Sequence, residues 1–159
     1  MKLYIKQRVF SWTDSFIIKD EAGNDKYYGR CEFLSLGHKL HVEDCYGQEV
    51  IYIEQKLLTF MPKFNIFIRG REVGQLVKEL TFFKQVYTVP NAGIEVRGDF
   101  FAHDYNVLQY GSSIMTLNKE WFTWGDSYVL DIPDPADELM GLAIMLAIDC
   151  AQCNANNNS

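Results

Sequence analysis

Apolar and polar residues alternate along most of the chain. In Lys2–Phe10, KLYIKQRVF, Leu3, Ile5 and Val9 fall on odd positions, with Tyr4 the exception. A period of two predicts a strand with one face buried. Similar short segments follow: SFIIKD, DKYYGRCEFL, HKLHVED, EVIYIEQK, KFNIFIRG, EVGQLVKEL, QVYTV, GIEVRG, YNVLQY, SSIMTLNKE and SYVLDI. Turn residues separate them, among them Glu21–Asn24, Gly37, Gly47, Pro62 and Gly70. About a dozen strands at this spacing predict a sandwich or a barrel.

The last segment breaks the pattern. From Leu139 to Ile148 no residue is charged or strongly polar, and Gly141 alone interrupts good or fair helix formers. Asp134 suits an N-cap, Pro135 the first helical position, and Asp137 and Glu138 the positive end of the helix dipole. The sequence therefore predicts a helix over Pro135–Cys153. A helix apolar on every side must be buried on every side. This one is too short for a bilayer, which needs roughly 20 apolar residues.

The two signals select the barrel. A barrel of about eight strands is filled by its own side chains. A helix is roughly 10–12 Å across, so enclosing one takes on the order of 11–12 strands. The predicted fold is all-β with one buried helix: a closed antiparallel β-barrel of about 12 strands around a central hydrophobic C-terminal helix. Residues 1–153 form the domain and 154–159, NANNNS, a polar tail. Seven large apolar side chains between Leu139 and Ile148 contribute on the order of 10–20 kcal/mol before ordering costs.

Composition narrows the function classes. The chain has 159 residues and a net charge of −6, which argues against nucleic-acid binding through bulk charge. The first residues lack the apolar run of a signal peptide. With no transmembrane span either, the expected location is the cytoplasm, with peripheral membrane association open. Cys31, Cys45, Cys150 and Cys153 read as thiols rather than a disulfide scaffold.

A series of modest motifs then accumulates in order: Ile18-Lys19-Asp20 and Gly23; Leu40-His41-Val42-Glu43-Asp44, Gly47, Val50, Ile53 and Lys56; Val96-Arg97-Gly98-Asp99, Tyr105 and Val107; Asp126-Ser127-Tyr128-Val129-Leu130; and the apolar helix ending in Ile148-Asp149. In this order they resemble the LURP-one-related family of the tubby C-terminal-like superfamily, which also holds the phospholipid scramblases. The resemblance implies a closed barrel of about a dozen antiparallel strands threaded by a hydrophobic helix. It implies little about biochemical activity.

Candidate chemistry is sparse. The segment Lys56–Lys84 holds six basic and two acidic residues, a net +4 that leaves −10 on the rest. Tubby domains bind phosphoinositide headgroups through paired basic residues on the barrel wall, so the resemblance points to Lys56, Lys63, Arg69 and Arg71 as candidates for anionic lipid. Solubilising charge on exposed strand positions is the favoured account of them. Asp126, Asp131 and Asp134, with Asp137 and Glu138, precede the helix where scramblases carry a calcium-binding acidic segment; helix capping accounts for part of this cluster without a metal. Cys150-x-x-Cys153 has no tight second pair to complete a zinc site. His38 and His41 point to opposite faces of a strand. Arg97-Gly98-Asp99 reads as a strand end and turn. Phe10–Ile18 and Phe122–Leu130 echo one another as aromatic strand, turn and aromatic strand.

No nucleophile elbow or phosphate-cradling loop is present in the sequence, and no cofactor is expected. A helix in the lumen leaves little room for a central active site. The leading expectation is a non-catalytic interaction module that binds anionic phospholipid or a protein partner through its outer surface. The alternative is a hydrolase or transferase at the barrel rim, near His103 and Asp104.

Overall fold

Alternation becomes closure in the computed structural model, which describes residues 1–6, 15–32, 37–80, 85–122 and 125–157. Twelve antiparallel strands run β1 Lys2–Lys6, β2 Ser15–Lys19, β3 Asp25–Glu32, β4 Lys39–Asp44, β5 Glu49–Lys56, β6 Lys63–Ile68, β7 Arg71–Leu80, β8 Gln85–Val89, β9 Ile94–Asp99, β10 Asp104–Gln109, β11 Ser112–Phe122 and β12 Gly125–Asp131. Each pairs with its sequence neighbours, and β1 pairs with β12 to close the barrel. A helix, α1 Glu138–Asn157, follows a single 3-10 turn, Pro135–Asp137, and fills the lumen.

The strands supply the wall that the helix needs. Leu3 and Ile5, Leu40 and Val42, Ile51 and Ile53, and Phe64 and Ile66 point inward in pairs, each nearly or fully buried. From Leu142 to Ile148 every residue of α1 is fully buried against them. The helix packs chiefly on β5 and β6 and comes close to β11, where a Cβ on Gly141 would lie 3.0 Å from Cβ of Met115.

The barrel has two unlike ends. At the base, where α1 begins, the Tyr27 hydroxyl donates to Glu138 at 2.9 Å, and the N-terminal ammonium donates to the Ile132 carbonyl at 3.0 Å. Turns here are tight and polar. Arg69-Gly70 and Tyr110-Gly111 are two-residue turns with positive φ at both residues, the hairpin geometry that matches strand twist. The carboxylates of Asp20 and Asp44 each accept two turn amides. Among the described residues all four register shifts, after Ile18, Val42, Ile66 and Val107, fall toward this end and help bend the wall into a ring. At the opposite end, the rim, α1 finishes and the connections Leu57–Pro62 and Phe100–His103 lie.

Two expected details change. Asp134 caps the 3-10 turn by accepting from Ala136, while α1 itself starts at Glu138. The helix also continues past Cys153 to Asn157, into the stretch expected as a polar tail. The turns of the two echoed aromatic segments lie mostly outside the described residues. Their second halves, β2 and β12, are the two neighbours of β1.

Candidate functional site

Strand register decides which side chains share the rim. Lys56 ends β5, Lys63 opens β6, and the two are direct cross-strand partners. They flank the outward positions next to inward Phe64, so two ammonium groups share one outer patch. Like charges opposite one another destabilise a strand pair. Neither lysine is in an ion pair among the described residues, nor are Lys39 and Lys78 in the same sector.

Between the two lysines no residue is charged. Leu58 and Phe60 are fully exposed, and Leu57 nearly half so. The loop is nonetheless held in place. Gln55 donates its backbone N–H to the His38 carbonyl at 2.8 Å, and Thr59 donates its hydroxyl to the Lys56 carbonyl at 3.4 Å. Leu57 packs over Gly37, and Leu58 takes a left-handed φ of 59°. Leu80 at the end of β7 and Phe101 in the β9–β10 connection are also exposed here, Phe101 at 77%. Among the described residues every exposed leucine and phenylalanine is at the rim, whereas the base exposes Tyr46 and Tyr110.

The connection carrying Phe101 also covers the end of the lumen. Asp99 accepts the backbone N–H groups of Phe101 and Ala102 at 3.0 Å each. A Cβ on Gly98, at φ +143°, would meet the Asp104 carbonyl at 2.4 Å, so only glycine lets β9 approach β10 so closely. His103 adopts φ 54° and stacks on Tyr128 with ring centroids 4.4 Å apart. Its Nε2 lies 3.8 Å from Oδ1 of Asp149 on α1.

Asp149 is 3% exposed, and neither carboxyl oxygen has a hydrogen-bond partner among the described residues. The hydroxyl of fully buried Tyr105 is equally without one. Burial pushes the Asp149 carboxyl up to about 8 and lowers the His103 imidazole below its usual value. Near neutral pH both groups are therefore mainly uncharged, and 3.8 Å is too long for a hydrogen bond. The contact is the close approach of two neutral groups rather than an ion pair.

The other sequence candidates scatter. Arg69 and Arg71 flank the β6–β7 turn at the base, about 20 Å of strand away from Lys63. The four basic candidates are thus two separate pairs. Asp126 sits near the rim end of β12 and Asp131 at its base end, about 17 Å apart along the strand, while Asp134 is committed to its cap. No cluster of three or more metal-ligating residues occurs among the described residues. His41 lies between two carboxylates, Nδ1 at 2.6 Å from Glu49 and Nε2 at 2.7 Å from Glu32. Asp104 is exposed while His103 faces inward. Arg97 pairs with Glu95 at 2.6 Å, and Asp99 serves the turn.

None of Cys31, Cys45, Cys150 and Cys153 is in a disulfide. Burial raises the Cys150 thiol well above its usual value and Cys153 to about 11, so neither is an activated thiolate. Sequence reasoning overlooked two features here. The connections LLTFMP and FFAH are apolar where the base turns are polar, a contrast visible in the letters once strand direction is known. The burial of Asp149 had no such signal.

The comparisons agree with this architecture. A family model described as LURP-one-related matches residues 1–149. The uncharacterized protein YxjI of Bacillus subtilis (strain 168) is 31% identical over 159 residues, spanning 100% of this chain and 98% of that protein. An X-ray structure of a protein from Arabidopsis thaliana superposes with a TM-score of 0.62 at 15% identity, covering 93% of this chain and 90% of that one; at that identity it supports the fold alone. No described helix is long and apolar enough to cross a membrane. With the family match spanning nearly its whole length and a relative above 30% identity, the chain belongs to the LURP-one-related family.

Proposed function

We propose that the protein is a non-catalytic docking module whose rim engages anionic lipid headgroups through Lys56 and Lys63. The observation that carries this reading is the direct opposition of two lysines, in no ion pair among the described residues, beside an exposed apolar loop. An anionic headgroup between them relieves the repulsion at the lysine pair itself, beyond what Glu54, on the next outward rung of the same two strands, supplies. A basic residue at an anionic leaflet contributes about 1 kcal/mol, so reversing both charges is expected to weaken binding by roughly 100-fold or more.

The test is co-sedimentation with phosphatidylserine-containing and pure phosphatidylcholine vesicles. Lys56→Glu/Lys63→Glu is expected to lose the anionic preference. Arg69→Glu/Arg71→Glu changes net charge equally at the other end and is expected to bind as the wild type does. Equal binding by the lysine variant, or loss of binding only in the arginine variant, would end the proposal.

The rim hydrolase has one observation in its favour, the approach of His103 to Asp149. Asp149 is buried and His103 only partly exposed, and the nearby thiols are held protonated. Esterase turnover abolished by His103→Ala would favour that reading.

A further inference from the structure

We infer that the rim is a membrane-inserting surface: Leu58 and Phe60, with Phe101 as a second point, enter the hydrocarbon of an anionic bilayer while Lys56 and Lys63 stay at headgroup depth. This deepens the docking reading above and rests on it. The loop has the chemistry that insertion requires. Its only polar side chain, Thr59, is already bonded to the Lys56 carbonyl, and Pro62 contributes no N–H. The lysines sit immediately outside the apolar run, where long stems let a charge remain in water as the neighbouring residues sink.

The geometry favours a bilayer over a protein groove. Leu58 and Phe60 are fully exposed and so stand clear of their own protein. Phe101 projects from the same end on the β9–β10 connection, three strands around the ring from β6, or about 15 Å along the wall. Separate apolar points on one rim fit a flat, fluid surface, which needs no matching pockets. Lys56 and Lys63, in no ion pair among the described residues, make the surface basic beside Leu58 and Phe60, whereas exposed Asp99 and Asp104 flank Phe101 and make it the secondary point. The opposite end has polar turns and no exposed leucine or phenylalanine among the described residues.

The test injects the protein beneath an anionic lipid monolayer held at the lateral pressure of a bilayer, alongside vesicle binding. Wild type is expected to raise the surface pressure and to keep part of its vesicle binding at high salt. Leu58→Ser/Phe60→Ser changes only exposed side chains, so its melting temperature should match the wild type's. It is expected to give no pressure rise and to partition roughly tenfold or more weakly, while retaining a preference for phosphatidylserine. A wild type that binds anionic vesicles, gives no pressure rise and is fully released by salt would overturn insertion and leave headgroup docking standing. Undiminished penetration by Leu58→Ser/Phe60→Ser would overturn the assignment of these residues. Failure to bind any vesicle would overturn both readings.

Discussion

Ending the chain at Ala136 is expected to abolish folding outright. The deletion removes Leu142, Ile144, Met145, Leu146 and Ile148, all fully buried, together with partly buried Leu139 and Met140. Their gross contribution, on the order of 10–20 kcal/mol, matches or exceeds the roughly 5–15 kcal/mol net stability of a typical domain. The loss also strips the wall. Ile53, Phe64 and Ile66 would line a water-filled lumen with no partner. The strands cannot collapse onto one another without breaking closure, because each connects to both neighbours around the ring. Circular dichroism and urea titration should show no cooperative transition in the truncated chain. A soluble, cooperatively unfolding barrel of residues 1–136 would contradict the account.

Wild type is expected to lose roughly 1–2 kcal/mol of stability between pH 6.5 and pH 8, and Asp149→Asn is not. An aspartate in the unfolded chain titrates near 3.9; the folded carboxyl is raised to about 8. Between those values the folded protein keeps a proton that the unfolded chain releases, so stability falls as pH rises. The cumulative cost reaches about 4 kcal/mol by pH 7. The groups facing Asp149 do not obscure this window. His103 is lowered, so its contribution has the opposite sign and is confined below about pH 6.5. Tyr87, Tyr105, Cys150 and Cys153 are all raised and matter only at more alkaline pH. Thermal unfolding should register the wild-type change as a drop of about 3–6 °C, with a flat response in the variant. A wild-type curve as flat as the variant's would show that Asp149 is not held dry and protonated.

The fold was largely legible because its rules are local. A period of two marks each strand, and ten residues without a polar side chain mark the plug. All twelve expected strands occur in the expected order, and the register of β1 on β12 closes the ring that the helix diameter demanded. The sites were less legible because they depend on which end of a strand a residue occupies. Lys63 and Arg69 look adjacent in sequence, yet β6 carries them to opposite ends of the barrel. Asp126 and Asp131 are separated by β12 in the same way. Asp149 reads as the polar end of a greasy helix, where exposure is the ordinary outcome. It is buried because the turn held by Asp99 and closed by His103 packs across the lumen above it, a long-range placement that no local pattern encodes.

The most direct check on the central claim is amide hydrogen exchange of the intact protein with and without phosphatidylserine-containing vesicles. Vesicles are expected to slow exchange at the rim, over Leu57–Lys63 and Phe100–His103, and to leave the base turns Asp20–Asn24, Asp44–Gln48 and Arg69–Gly70 unchanged. Protection at the base turns, or none at either end while the protein is bound, would contradict docking through the rim.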